Sequence, residues 1–112
     1  MPKEAEIKFL LKLDDNGAPE EIYWNATDSG EEGFAPCESL MISMWDKSAK
    51  NSMSIELWTP RMEVGEMGAH FYHMFMKMAD TYKRATNDEN TSEKIKAFAL
   101  EFARSVEAFA NK

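Results

Sequence analysis

The first half of the chain alternates apolar and polar residues with the two-residue period of half-buried β-strands. The alternation predicts one strand from Glu6 to Leu13 and, after the turn-forming sequence Asp-Asp-Asn-Gly-Ala-Pro, a second from about Glu21 to Ala26. Ser52 to Thr59 alternates in the same way and predicts a third strand, which Pro60 closes. These segments predict a small, mostly antiparallel sheet.

Apolar residues three and four positions apart predict helices elsewhere. Leu40, Met41, Met44 and Trp45 predict a short helix from about Cys37 to Ala49. Two longer helical stripes follow in the second half, separated by Asn-Asp-Glu-Asn at positions 87–90, with Asn90 and Glu93 at the spacing of a capping box. The four-residue break predicts that the two long helices form an antiparallel hairpin.

The predicted element order is β-β-α-β-α-α, without internal repeats. A chain of 112 residues has room for one domain. We therefore expect a single α+β domain over residues 1–112, with a three-stranded sheet, helices packed on one face of it and a C-terminal helical hairpin.

The outer face of the predicted sheet carries three large side chains among polar ones. Leu10, Tyr23 and Trp58 interrupt a face otherwise occupied by lysine, asparagine and glutamate. Tyrosine and tryptophan favour half-buried positions at protein interfaces. The pattern indicates a surface for a protein partner or for a second copy of the chain; shielding by another part of the same chain is the alternative.

Charge and hydropathy exclude some classes of partner. Residues 1–60 contain 12 acidic and 5 basic residues, whereas residues 61–112 contain 8 of each, so the net charge of −7 resides in the first half. This field repels nucleic acid, although it would suit a basic protein. Since the chain has no apolar stretch of membrane-spanning length and no signal segment at its start, we expect a cytoplasmic protein without direct membrane insertion.

Candidate chemistry is sparse. His70 and His73 stand three residues apart on a predicted helix, where they could contribute to a metal or small-ligand site. The lone Cys37 has no partner for a disulfide, and phosphate-binding, nucleophile-elbow and dinucleotide motifs are absent from the sequence. We therefore expect no enzyme activity and no cofactor, with ligand or metal binding at the His70/His73 face as the alternative.

Several segments, in order and spacing, resemble the gliding motility-associated GldC family. They are Ile-Tyr-Trp-Asn-Ala-Thr-Asp at 22–28, Met-Trp-Asp at 44–46, Ile-Glu-Leu-Trp-Thr at 55–59, Met-Ala-Asp-Thr-Tyr at 78–82 and Arg-Ala-Thr-Asn-Asp at 84–88. The resemblance implies a cytoplasmic accessory to gliding motility with a protein partner in the gliding machinery. It implies no reaction and no catalytic residue. The family-type residues to test are Trp24, Asp28, Trp45, Asp46, Trp58 and Asp80. The alternative for the tryptophans at 24 and 45 is a place in the core, and the alternative for the aspartates at 28 and 46 is a cap of local structure.

Overall fold

A computed structural model describes residues 3–30 and 32–110 of the chain, which forms two compact units, Met1–Met62 and Glu63–Lys112. Among the described residues, the regular elements of the first unit are strands and those of the second are helices, so the predicted α+β class is confirmed. The strands are β1 (Ile7–Leu13), β2 (Pro19–Ala26), β3 (Ala35–Cys37), β4 (Ser39–Asp46) and β5 (Asn51–Trp58), and the helices are α1 (Val64–Thr86) and α2 (Glu89–Ala110). Packing of helices on the sheet and a single domain over the chain stay predictions.

The first sheet has the order β1-β2-β3, and both strand pairs are antiparallel. The predicted turn joins β1 to β2: the Asp14 carboxylate accepts the N–H groups of Asn16 (2.8 Å) and Ala18 (3.0 Å), and Gly17 takes a φ of 81°. Only a residue tolerant of positive φ fits there. Phe9 lies opposite Trp24 and Leu11 opposite buried Ile22, so the apolar positions of the two strands share one face, as the alternation predicts.

The segment predicted as a short helix from Cys37 to Ala49 is extended instead, and this prediction is wrong. Leu40, Ile42 and Met44 also alternate, and β4 pairs with β5 so that they lie opposite Leu57, Ile55 and Met53. The apolar spacing fits a helix and a strand equally well, and it is the cross-strand partner, a distant part of the chain, that decides between them.

The predicted third strand, Ser52 to Thr59, is confirmed as β5 to within one residue at each end. It joins β4 in a two-stranded sheet of its own rather than β1 or β2. The single three-stranded sheet of the prediction is therefore wrong in detail: the unit has a three-stranded and a two-stranded antiparallel sheet. The error arises because strand β4 was not predicted, and β4 is the strand with which β5 forms its hydrogen bonds.

The predicted antiparallel hairpin of two long helices is confirmed. Phe71 contacts Phe102 near the open end of the hairpin, Phe75 contacts Phe98 further along, and the Ser92 hydroxyl donates to the carbonyl of Ala79 (2.8 Å) near the connection. From the open end toward the connection, the paired residue numbers rise on α1 and fall on α2, so the two helices are antiparallel. Ala79, Ser92 and Ala99 are fully buried, because small side chains let the two helices approach closely.

The connection between the helices comprises Asn87 and Asp88 alone, shorter than the four residues predicted. Asn87 adopts the left-handed conformation (φ 61°) and ends α1, and Asp88 begins α2 by accepting the Thr91 N–H (3.0 Å) and hydroxyl (2.6 Å). These bonds hold the pKa of Asp88 below its ordinary value. The cap predicted at Asn90 is therefore wrong: the carboxylate two positions earlier reaches the free N–H groups of the first turn.

Gly68 on α1 lies against α2 with no room for a side chain. A Cβ atom built at this position would lie 2.2 Å from Cγ1 of Val106 on α2. Valine in a helix is confined to essentially one χ1 rotamer, so it has little freedom to yield. Gly65, one turn earlier, has nothing within 4 Å of the equivalent position.

Gly68→Ala should therefore destabilise the hairpin by about 1–3 kcal/mol through overpacking, whereas Gly65→Ala should be neutral or stabilising by up to about 1 kcal/mol. Urea denaturation followed by circular dichroism measures both. Adding Val106→Ala to the Gly68→Ala chain should recover part of the loss, because it removes the clashing methyl group. Equal effects of the two glycine substitutions would contradict close packing at Gly68.

Candidate functional site

Two of the three side chains of the predicted interaction surface are direct neighbours. Leu10 on β1 and Tyr23 on β2 are cross-strand partners, and Pro36 on β3 lies opposite Tyr23 in turn. The Lys12 ammonium lies 5.5 Å from the centre of the Tyr23 ring, and the Tyr23 hydroxyl donates to Glu21 (3.2 Å). Leu10 remains 46% exposed. The arrangement is an apolar pair flanked by charge, which is typical of contact surfaces with a polar rim.

The third side chain, Trp58, lies in the other sheet, at the end of β5 opposite Ser39. It is 53% exposed and borders a cavity of about 320 Å³. The cavity is lined by Ala18, Pro19, Glu56, Leu57, Trp58, Thr59 and Pro60. The structure thus places the predicted residues on two surfaces of one unit: the Leu10–Tyr23 pair on the first sheet, and Trp58 on the second sheet beside a cavity that the start of β2 also lines.

One lining residue of the cavity, Thr59, belongs to a polar network that we call the Glu38 clasp, formed by Glu38, Thr59 and Arg61. The Glu38 carboxylate accepts the Thr59 hydroxyl (2.6 Å) and the Arg61 Nε–H (2.8 Å), and its backbone carbonyl accepts the Thr59 N–H (2.9 Å). Arg61 Nη2 also donates to the carbonyl of Glu20 on β2 (2.7 Å). These bonds connect the residues just after β5 to Glu38, which lies between the two sheets, and to Glu20 on β2 of the three-stranded sheet.

The clasp favours the ionised form of its carboxyl group. The hydrogen bond from Thr59 and then that from Arg61 hold the pKa of Glu38 below its ordinary value, against a smaller opposing effect of burial. Thr59 is fully buried, so its hydroxyl relies on this bond inside the protein. The geometry indicates a structural role that fixes the wall of the cavity beside Trp58.

The family-type residues are dispersed over the fold. Trp24 is half-buried on β2 opposite Phe9, Asp28 is exposed in the turn after β2, and Trp45 is 66% exposed on β4. Asp46 accepts the N–H groups of Ser48 and Ala49 (3.0 and 3.1 Å) in the turn between β4 and β5, which confirms the interpretation of Asp46 as a cap of local structure. Asp80 on α1 accepts from Lys96 on α2 (3.3 Å). Trp45 and Asp46 adjoin one turn, and Asp80 lies in the helical unit.

The two histidines occupy different environments on α1. The Nε2 atom of His70 is buried and has no hydrogen-bond partner among the described residues, whereas His73 is exposed beside Tyr72, with ring centroids 6.0 Å apart. Within residues 3–30 and 32–110, no three His, Cys, Asp or Glu side chains are grouped so that they could hold a metal ion.

Cys37 lies on β3 rather than at the start of a helix, because the helix predicted there is absent. Burial first, and the neighbouring Glu38 charge second, raise the pKa of its thiol. A raised pKa disfavours the thiolate, which is the nucleophilic form.

The residues of the Glu38 clasp were not predicted as a group from the sequence. Glu38 is separated from Thr59 by 21 positions and from Arg61 by 23, so no local spacing connects them. The one available signal was a charged residue between two strand segments together with an arginine just after Pro60. These charged residues can be connected with one another only when the pairing of β4 with β5 is known.

A family model described as "Gliding motility-associated protein GldC-like" matches residues 19–108. Neither the curated proteins nor the solved structures include a match to the chain. Over the part of the chain that the structure describes, neither helix combines the length and the hydrophobicity required to span a bilayer.

The lowered pKa of Glu38 predicts a loss of stability in acid. A group whose pKa is lower in the folded state stabilises the fold above its unfolded pKa and loses that contribution as the pH falls through the folded value. Glu38→Gln should therefore lower the melting temperature at pH 7 and have a smaller effect well below pH ~4, where an unfolded glutamate is protonated. Thermal melts across this range test the effect. Glu101→Gln, which changes the net charge equally, is the control, and a pH-independent effect of Glu38→Gln would contradict the clasp.

Proposed function

Because the chain belongs to the GldC-like family of gliding motility-associated proteins, we propose that it supports gliding as a non-enzymatic accessory protein that acts in the cytoplasm by binding another protein of the gliding machinery. The family membership is the basis for associating the protein with gliding motility. The surfaces formed by Leu10, Tyr23 and Trp58 support binding as the mode of action.

The Leu10–Tyr23 pair has the composition of an interface centre. A tyrosine ring with its apolar partner gives contact area at low entropic cost, and Lys12 and Glu21 beside it provide charges that can define the orientation of a partner. The acidic excess of the first half of the chain, which includes this sheet, favours a partner with basic groups around an apolar patch.

Trp58 and its cavity support the same mode of action on the second sheet. Tryptophan is enriched among the residues that dominate binding energy, and those residues lie in pockets that exclude water. The cavity beside Trp58 has proline at two positions of its lining, Pro19 and Pro60, and the Glu38 clasp fixes the strand end that carries Trp58. An apolar side chain of the partner would fit this cavity.

The test is a pull-down of the tagged protein from the extract of a gliding bacterium, with partners identified by mass spectrometry. Trp58→Asp and Leu10→Asp should each reduce capture of a gliding-machinery protein by about tenfold or more, the scale of a lost hot spot, while the chain remains folded. Met53→Asp, which changes an apolar residue exposed on the same two-stranded sheet, is the control and should retain capture. Trp45→Asp tests the family-type tryptophan beside the β4–β5 turn.

Retention of the captured protein by both Trp58→Asp and Leu10→Asp would reject the proposed surfaces. Loss of capture by Trp45→Asp alone would transfer the interaction to the β4–β5 turn. Circular dichroism and melting temperature identify any variant that fails through unfolding.

A second candidate function is binding of a small ligand or metal at the His70/His73 face, which is supported by the unpaired buried Nε2 of His70. A ligand that binds only the folded state raises the melting temperature by mass action. A compound or divalent metal that stabilises the protein should therefore lose this effect when both histidines are replaced by alanine. No thermal shift across metals and metabolites, or a shift that survives the double replacement, would reject this candidate.

A further inference from the structure

β1 forms an edge of the three-stranded sheet and is exposed along its whole length. Its four apolar residues on one face, Ile7, Phe9, Leu11 and Leu13, are 72%, 42%, 37% and 55% exposed. The strand contains no proline, and its register with β2 is regular from Ile7 to Lys12. An edge of this kind is a template for a further strand.

The hydrogen-bond pattern with β2 shows which groups of β1 face the open edge. Glu6 and Thr27 continue the register of β1 with β2, and the Thr27 N–H donates to the Glu6 carbonyl (3.0 Å), so this is a hydrogen-bonded pair. In an antiparallel ladder such pairs alternate along the strand. The even-numbered residues of β1 therefore bond to β2, and the N–H and C=O groups of Ile7, Phe9 and Leu11 point away from the sheet.

We propose that the open edge of β1 pairs antiparallel with β1 of a second copy of this chain, with Phe9 on the two-fold axis. In this register Phe9 lies opposite its counterpart and Ile7 lies opposite Leu11, so the outward N–H and C=O groups bond to each other. Because odd-numbered residues lie opposite odd-numbered residues, the four apolar side chains of both copies lie on the same face. The two three-stranded sheets then form one six-stranded sheet.

The charged side chains of β1 favour the register centred on Phe9 over the register centred on Leu10. With Phe9 on the axis, Lys12 of each copy lies directly opposite Glu6 of the other, which gives two cross-strand ion pairs. Centring the pair on Leu10 would instead set Lys8 against Lys12 and Glu6 against Asp14, and like charges directly opposite are destabilising. A second copy thus has the complementary charge that this edge requires. The side chains of Glu6 and Lys12 are 69% and 60% exposed and accessible to it.

The interface is small, so the dimer should be weak. One strand pair with its flanking side chains buries less than the ~800 Å² per partner of a standard interface, so we expect a weak dimer whose population depends on concentration. This inference goes beyond the proposed function, since it concerns the strand edge and requires no protein of the gliding machinery.

The experiment is sedimentation equilibrium of the purified chain over a wide concentration range, alone and as designed pairs. Glu6→Lys and Lys12→Glu should each weaken self-association by about tenfold or more, because each creates two like-charge contacts. Their equimolar mixture should form a heterodimer with near-parental affinity. In that heterodimer Lys12 of the first variant faces Glu6 of the second, and the introduced lysine faces the introduced glutamate.

Lys8→Glu is the matched control, because Lys8 faces Leu10 rather than a charge in the proposed register. It should leave the affinity within about twofold of the parental value, whereas it would strengthen a dimer centred on Leu10. The in-chain partners of the changed residues, Lys8 for Glu6 and Glu21 for Lys12, form exposed ion pairs that contribute little to stability, so the variants should stay folded.

A parental chain that remains monomeric throughout the concentration range would overturn the proposal, as would a mixture of the two charge variants that fails to associate. Dimers strengthened by Glu6→Lys would assign another register. Trp58→Asp should dimerise normally, so loss of a gliding partner and loss of self-association are separate results.

Discussion

The architecture of the first unit depends on the position at which the chain leaves one sheet and enters the other. Glu38 is the single residue between β3 of the three-stranded sheet and β4 of the two-stranded sheet. Its carboxylate binds the buried Thr59 hydroxyl, and Arg61 extends the network to the backbone of β2. The buried Thr59 hydroxyl needs a hydrogen-bond partner, and its bond to Glu38 also fixes the end of β5. The Trp58 cavity depends on that strand end.

The helical unit is stabilised by a different constraint, the closeness of its two helices. Ala79, Ser92 and Ala99 are small enough to be buried between them, and the absence of a Cβ atom at Gly68 leaves room for Val106 of α2. Around these residues the rings of Phe71, Phe75 and Phe102 contact one another at 5.1–6.2 Å. The two-residue connection is closed by the left-handed Asn87 and the helix cap Asp88.

The functional conclusion rests on surfaces rather than on a reactive centre. The family assignment gives an association with gliding motility, and the proposed binding role is based on three exposed features of the strand unit: the Leu10–Tyr23 pair, the Trp58 cavity and the open edge of β1. These features are distinct in chemistry. The first two present aromatic side chains, whereas the third presents backbone hydrogen-bonding groups, so a partner and a second copy need not compete for the same atoms.

Local patterns in the chain were enough to predict strands β1, β2 and β5, the turn at Asp14, the two long helices, their antiparallel hairpin and the family. They were also enough to predict that Leu10 and Tyr23 share a face. That residues 39–46 form a strand became clear only from the folded protein, because their apolar spacing suits both a helix and a strand and β5 supplies the hydrogen-bond partner. The placement of Trp58 on a second sheet and the Glu38 clasp followed from that same pairing. Contacts between residues 20 or more positions apart depend on how the whole chain folds, so the local periodicity of the sequence does not predict them.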